Sequence, residues 1–266
     1  NGTTVFGRSP HEKIAEFIVL NDPKIKSLLG DSRHDVAGYI TGTGPQTAER
    51  DIIHGPIDAD KLDYLLRDSH YAGVKYGTFD LDRIVNSVTA KRRAAESQLG
   101  IRDEGFWALE QLQLAKRYMD LQVYKHDTRV ITDVMLVRTI LLAIEEGAVP
   151  GLSAAYSLPS ELTDQFVAGF MVWHDNSLLT GIEEQCRGTA KVLAERLSKR
   201  RILKKAFSIK WSHFDFDQRD RLSRLGGDQK ARLEKQLGEC ASLIGKRLFS
   251  CPVDTRLAIL NNYSSS

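Results

Sequence analysis

Gly55-Pro-Ile-Asp-Ala-Asp-Lys-Leu-Asp-Tyr-Leu-Leu-Arg-Asp-Ser-His-Tyr-Ala-Gly73 decides how the rest of this chain is read. At about 100° per residue, Asp60, Tyr64, Asp68 and Tyr71 stand at i, i+4, i+8 and i+11 and share a helix face. Lys61 borders that face, and Leu62, Leu65 and Leu66 supply apolar anchorage beside and behind it. Asp58, two residues after Pro56, is placed to cap the first turn, and Gly73 to stop the helix. Solubility alone would be satisfied by any charges. The spacing instead predicts that two carboxylates, an ammonium and two phenols converge in one cleft.

The flanking chain also reads as helical. Ile14, Ala15, Phe17, Ile18 and Val19 recur at helical spacing over 10–21, and Pro23 interrupts. A short helix over 33–41 ends in the Thr-Gly-Thr-Gly-Pro turn at 41–45. Another begins near Asp80 and is expected to bury Leu81, Ile84 and Val85. Residues 94–102 read as one edge of a small hairpin. Leu109, Leu112, Leu114, Met119 and Val123 form one helical stripe and Thr128–Glu146 a second, predicting two long antiparallel helices that end at Gly147. Pro150 and Pro159 bracket a loop, and Ser160-Glu-Leu-Thr-Asp164 predicts the next helix start. Residues 187–201 predict a basic helix. Beyond it, Ala206–Trp211 predicts a strand, Asp217–Lys246 a charged helix interrupted at Gly226-Gly227, and Val253–Leu260 a short closing strand. The expected fold class is mainly α, with a small mixed α/β region over 201–266.

Composition narrows the functional classes. The 266 residues are 42% hydrophobic and 27% charged, ordinary for a globular protein. A net charge of +2 gives no global polycation for nucleic acid. Cys186, Cys240 and Cys251 are odd in number and widely spaced, which excludes a disulfide framework and a zinc-finger pattern. No apolar run approaches membrane-spanning length. A cytoplasmic location is expected.

The motif residues resemble a known family. Gly-Pro-x-Asp-x-Asp-Lys-x-Asp-Tyr-x-x-Arg-Asp over 55–68 is followed by Tyr71-Ala-Gly-Val74 and Tyr76-Gly-Thr-Phe-Asp-Leu-Asp-Arg-Ile84. This pattern is similar to the HD-domain phosphohydrolases, and within them to the deoxynucleoside triphosphate triphosphohydrolase branch. Lys116-Arg-Tyr-Met-Asp-Leu-Gln-Val-Tyr-Lys-His-Asp-Thr-Arg129 resembles the family's Met-x-x-x-Val-Tyr-x-His-x-x-Arg helix. His11-Glu12 resembles the His-Glu pair that follows the HD motif. The resemblance covers roughly residues 1–210.

The resemblance implies an HD-domain-like helical bundle over 1–200, with the small α+β appendage at its C-terminal end. It implies hydrolysis of a deoxynucleoside triphosphate to deoxynucleoside and triphosphate, in a homo-oligomer. It also implies a divalent metal (Mg, Mn or Fe) held by a His, a His-Asp pair and a distant Asp. Asp60 matches the distant Asp. The others belong to a segment expected before His11, so the cofactor would be completed by ligands not present in this chain. The dipeptides His34-Asp35, His126-Asp127 and His174-Asp175 lack the flanking pattern and read as coincidence. His11 would be the general acid. Lys61, Tyr64, Asp68, Lys116 and Tyr124 would position the nucleotide, with Lys116 standing where the family usually has Arg. Lys116 can hold a phosphate as a point charge but lacks the bidentate fork.

Three alternatives stay open. Each carboxylate and cation can be an ordinary solvated group, and Tyr124 an ordinary core aromatic. The chain can be a catalytically incomplete nucleotide-binding or regulatory subunit, or an HD phosphohydrolase acting on another phosphate ester. The basic stretch 187–205, with Arg187, Lys191, Arg196, Lys199, Arg200, Arg201, Lys204 and Lys205, is a solvated face, an allosteric nucleotide site or a nucleic-acid contact.

Overall fold

The computed structural model describes residues 10–93, 96–204 and 211–224, together with 226, 229, 232 and 236. These residues are mainly helical. The opening helices are α1 (Pro10–Asn21), α2 (Pro23–Leu29), α3 (Arg33–Thr41) and α4 (Ala48–His54). Pro23 starts α2 rather than breaking the chain, because Asp22 caps the backbone N–H groups of Lys24 and Ile25. α1 packs on α2 and α3, and α3 on α4.

The motif stretch folds as α5 (Ala59–Tyr71). Asp58 caps it, accepting from the Lys61 N–H at 2.8 Å. The preceding Gly55 is in extended conformation. It is required for space: a Cβ there would lie 2.2 Å from the Asp51 carbonyl oxygen.

α6 (Leu81–Ser87), capped by Asp80, leads directly into β1 (Val88–Arg93), which pairs antiparallel with β2 (Glu96–Ile101), Val88 opposite Ile101. Ile84 is fully buried, but Val85 points to solvent, because α6 rests only one narrow side on its neighbours. The buried Asp51 carboxylate ties α4 to the hairpin, accepting from the Gln46 side chain at 2.7 Å and the Leu99 N–H at 3.0 Å.

α7 (Phe106–Met119) runs into a π-helical turn, Asp120–Tyr124, and then α8 (Asp127–Glu146) begins. The expected pair of long antiparallel helices does not form. Lys125 and the extended His126 redirect the chain, and His126 caps α8 by accepting from the Thr128 N–H. α7 buries Ala108, Leu112 and Met119 against Leu65 and Ile84. α8 instead packs on α12 (Thr189–Ser198), its Ile140 and Ala143 sharing a second core with Leu178 and Ile182 of α11 (Asp175–Gln185). Leu114, expected in the buried stripe, is half exposed, because it lies on the side of α7 away from both α5 and α6.

Between α8 and α11 lie α9 (Leu152–Ala155) and α10 (Asp164–Met171). The helix expected from Ser160 starts at Thr163, whose hydroxyl accepts from the Phe166 N–H. His174 caps α11 in a reciprocal box with Ser177. The basic helix is shorter than expected, α12 ending at Ser198, since Arg200 adopts positive φ. α13 (Phe216–Ser223) is the first turns of the expected charged helix. The expected strand at 206–211 lies almost wholly outside the described residues, and that at 253–260 entirely so. Among the described residues, no helix is long and apolar enough to cross a membrane.

Candidate functional site

A cleft of about 290 Å³ opens between α5 and α7, lined by Tyr64, Gln113, Lys116, Arg117, Asp120 and Tyr124. Its floor is set by the core shared by the two helices, where Leu65, Leu112 and Met119 are buried and Tyr64 and Tyr124 pack against them. Each phenol is therefore anchored on its ring and polar at its tip. The two rings meet edge to face, with centroids 6.2 Å apart. The Tyr124 hydroxyl donates to Asp68 Oδ2 at 2.8 Å. Arg67 approaches the other Asp68 oxygen at 3.8 Å and is itself paired with Asp63.

The π turn matters to this geometry. Eight residues at 3.6 per turn would leave about 80° between Lys116 and Tyr124. The wider coil over Asp120–Tyr124 absorbs much of that angle, and both side chains line the same cleft.

Burial raises the pKa of both phenols. For Tyr124 desolvation is the larger cause, followed by its hydrogen bond to Asp68 and that carboxylate's charge. For Tyr64 desolvation again leads, then the charges of Asp58, Asp60, Asp68 and Asp120. Both stay protonated donors at neutral pH.

The cations divide into two groups. Lys61 Nζ donates to the Gly55 carbonyl at 2.9 Å and pairs closely with Asp58. It braces the start of α5 and does not line the cleft. Lys125 is paired with Asp120 at 2.6 Å. Lys116 and Arg117, by contrast, have no carboxylate or carbonyl partner among the described residues, and both face the cleft.

The structure thus brings Tyr64, Asp68, Lys116 and Tyr124 together. Asp60 is exposed in the first turn of α5 and reaches the cleft through its charge on Tyr64. Tyr71 is 83% exposed and sits edge-on to His70 at 5.3 Å, outside the cleft. His11 is exposed on α1, whose packing partners are α2 and α3. Gln113, Arg117 and Asp120 complete the lining without having been singled out by the motif. Gln113 and Asp120 stand at i−3 and i+4 from Lys116, the helical spacing that would have found them.

A divalent metal is implied by the resemblance. Asp60 offers one exposed carboxylate, and among the described residues no three His, Cys, Asp or Glu side chains come together. One carboxylate falls short of the several ligands a hard cation takes. The described residues therefore do not by themselves fit the metal.

The family model described as "HD associated region" matches residues 79–248. An uncharacterized protein of Methanocaldococcus jannaschii is 42% identical over 98 residues, covering 37% of this chain and 22% of that protein. The uncharacterized Bacillus subtilis protein YwfO is 33% identical over 134 residues, covering 49% of this chain and 30% of that protein. Each match thus spans less than a third of the relative's own length. The crystal structure of a phosphohydrolase from Bacteroides thetaiotaomicron shares the fold, with a TM-score of 0.60 at 22% identity over 88% of this chain and 57% of that chain.

Proposed function

The chain belongs to the HD-associated-region family, and from that premise we propose that it carries the nucleotide-facing part of an HD-type phosphohydrolase acting on deoxynucleoside triphosphates. The observation that carries this reading is the meeting in one cleft of two cations, Lys116 and Arg117, that have no carboxylate partner among the described residues, with the Tyr64–Tyr124 aromatic edge. Phosphate oxygens suit the cations, and base or sugar faces suit the phenols. Asp68, already accepting from Tyr124, has a second oxygen for a sugar hydroxyl. The fold likeness to a phosphohydrolase and the motif spacing support the same reading.

In this proposal Lys116 and Arg117 hold the polyphosphate, Tyr64 packs on the nucleoside, and the Tyr124–Asp68 pair orients the sugar. Lys61 contributes by fixing the start of α5. His11 is the proposed proton donor to the leaving nucleoside. The proposal assigns the bundle to residues 1–200 and an appendage to 201–266. The surface around α12, with Arg187, Lys191, Arg196 and Lys199, is proposed as a second anion-binding region for a nucleotide or nucleic acid.

The test is equilibrium binding of deoxynucleoside triphosphates to the protein, followed by product analysis that separates triphosphate from orthophosphate. Binding with triphosphate release supports the proposal. Release of orthophosphate assigns a different phosphate-ester chemistry. Binding without turnover identifies a nucleotide-binding module, and absence of binding removes the cleft from consideration.

A further inference from the structure

The lining of the cleft is ordered along α7. Gln113, Lys116, Arg117 and Asp120 face it in turn, and Tyr124 closes it at the end of the π turn. By helical rotation Gln113 lies between the two cations, Lys116 about 60° to one side and Arg117 about 40° to the other, with Asp120 about 20° from the same midline. Along the axis the cations stand about 5 Å from Gln113 and about 5 Å from Asp120, at about 1.5 Å of rise per residue. Asp120 is on the side nearer Tyr124, and Gln113 on the side farther from it.

The cleft is therefore graded in charge. The Tyr64–Tyr124 edge and Asp68 stand at one end, then a carboxylate, then two cations, then a neutral amide. Lys125 holds the Asp120 carboxylate at 2.6 Å. The Gln113 side chain is exposed and has no hydrogen-bond partner among the described residues.

Two effects set the direction of a polyphosphate in this cleft. Asp120 repels phosphate oxygens from the stretch between the phenols and the cations. Side chains of an α-helix lean towards its N-terminus, so Lys116 and Arg117 reach towards Gln113 and away from Tyr124. Both effects carry negative charge along α7 towards Gln113. The last phosphoryl group of the chain differs from the others in having a third non-bridging oxygen. A carboxamide can donate to that oxygen through its NH2 group. Being neutral, it adds little attraction for a chain too short to touch it.

Resting on the reading of this cleft as a deoxynucleotide site, we infer that Gln113 reads the length of the polyphosphate. Its amide donates to the terminal phosphoryl group of a triphosphate and lies beyond the end of a diphosphate. Lys116 and Arg117 hold the phosphates that both nucleotides share. Asp120, kept in place by Lys125, fixes which way the chain runs.

The test is equilibrium binding of the tri- and diphosphates of the four common deoxynucleosides, in buffer without added divalent cation and with product analysis so that only intact nucleotide is counted. The unaltered protein is compared with Gln113→Ala, Gln113→Glu and Lys116→Ala. Gln113 is exposed, so its replacement leaves the fold intact, which circular dichroism checks. The unaltered protein is expected to hold triphosphates more tightly than diphosphates. Gln113→Ala is expected to weaken triphosphate binding about fivefold, the worth of one hydrogen bond, and to leave diphosphate binding unchanged. Gln113→Glu sets a carboxylate against the terminal phosphoryl group and should lose more triphosphate affinity than diphosphate affinity. Lys116→Ala should weaken both. If the unaltered protein binds both nucleotides and Gln113→Ala leaves their affinity ratio unchanged, this inference alone is overturned. An equal loss of both has the same meaning. If the unaltered protein binds neither, the deoxynucleotide reading fails and this inference with it.

Discussion

Tyr124 donates a 2.8 Å hydrogen bond to Asp68 across 56 positions of sequence, tying the π turn that follows α7 to the last turn of α5. The bond is half exposed, with the Asp68 side chain 37% accessible. Tyr124→Phe keeps the ring and removes the donor. It is expected to lower the unfolding free energy by about 0.5–1 kcal/mol, the lower part of the range for a protein hydrogen bond. A denaturant midpoint measures this. If the pair orients a sugar hydroxyl, nucleotide affinity falls as well. Unchanged affinity would confine Tyr124 to a structural role.

Lys116 is the cation to remove first. Lys116→Ala is expected to weaken triphosphate binding about tenfold, the worth of one charge-assisted contact. Lys116→Arg should retain most of it. The wild-type affinity should fall with added salt, and the variant's more gently, since one fewer charge is screened. Titration calorimetry at two ionic strengths separates these outcomes. An alanine variant that binds as tightly as wild type would remove Lys116 from the site.

The phenols predict alkaline behaviour. Folding raises the pKa of Tyr124 well above its ordinary value, first by burial and then through Asp68. The folded state therefore holds that proton more tightly than the unfolded state. The stability so gained is complete below about pH 10, the ordinary tyrosine value, and is lost as pH rises towards the folded value. Tyrosinate absorbance should show late-ionising phenols, as the raised values of Tyr64, Tyr124 and Tyr156 require, with Tyr124→Phe deleting one late titration. A titration in which every tyrosine ionises together would contradict the packing described.

Asp58 and Lys61 predict a stability effect. Asp58 caps α5 through the Lys61 N–H and pairs with the Lys61 ammonium. Asp58→Ala removes both and is expected to cost about 1–2 kcal/mol, mostly from the lost cap. Lys61→Met leaves the cap and should cost less than Asp58→Ala. Thermal melts order the two variants, and equal losses would show that the ion pair outweighs the cap.

α5 was legible in the sequence down to its cap. Asp58, the leucines behind it and the shared face of Tyr64 and Asp68 follow from local spacing, because a helix repeats its own geometry. The same holds for α1, α3 and the Gly147 end of α8. What local spacing could not reach was which helix meets which. The stripe over 104–147 continued past Met119 in the sequence, yet the π turn and the extended His126 sent α8 to a different core. Leu114 and Val85 matched the apolar pattern and ended in solvent, since a periodic residue is buried only where another element covers it.

The candidate site divides along the same line. By itself the sequence determined the chemistry on offer: phenols, carboxylates and cations at helical spacing on two segments. Tertiary structure alone decided which of them meet. It gave Lys61 to Asp58 and Gly55, left Tyr71 outside, and admitted Gln113, Arg117 and Asp120. Spacing sets the direction of a side chain from its own helix axis. The partner it finds depends on where a second helix crosses, and that crossing is fixed by the burial of Leu65, Leu112 and Met119 in one shared core.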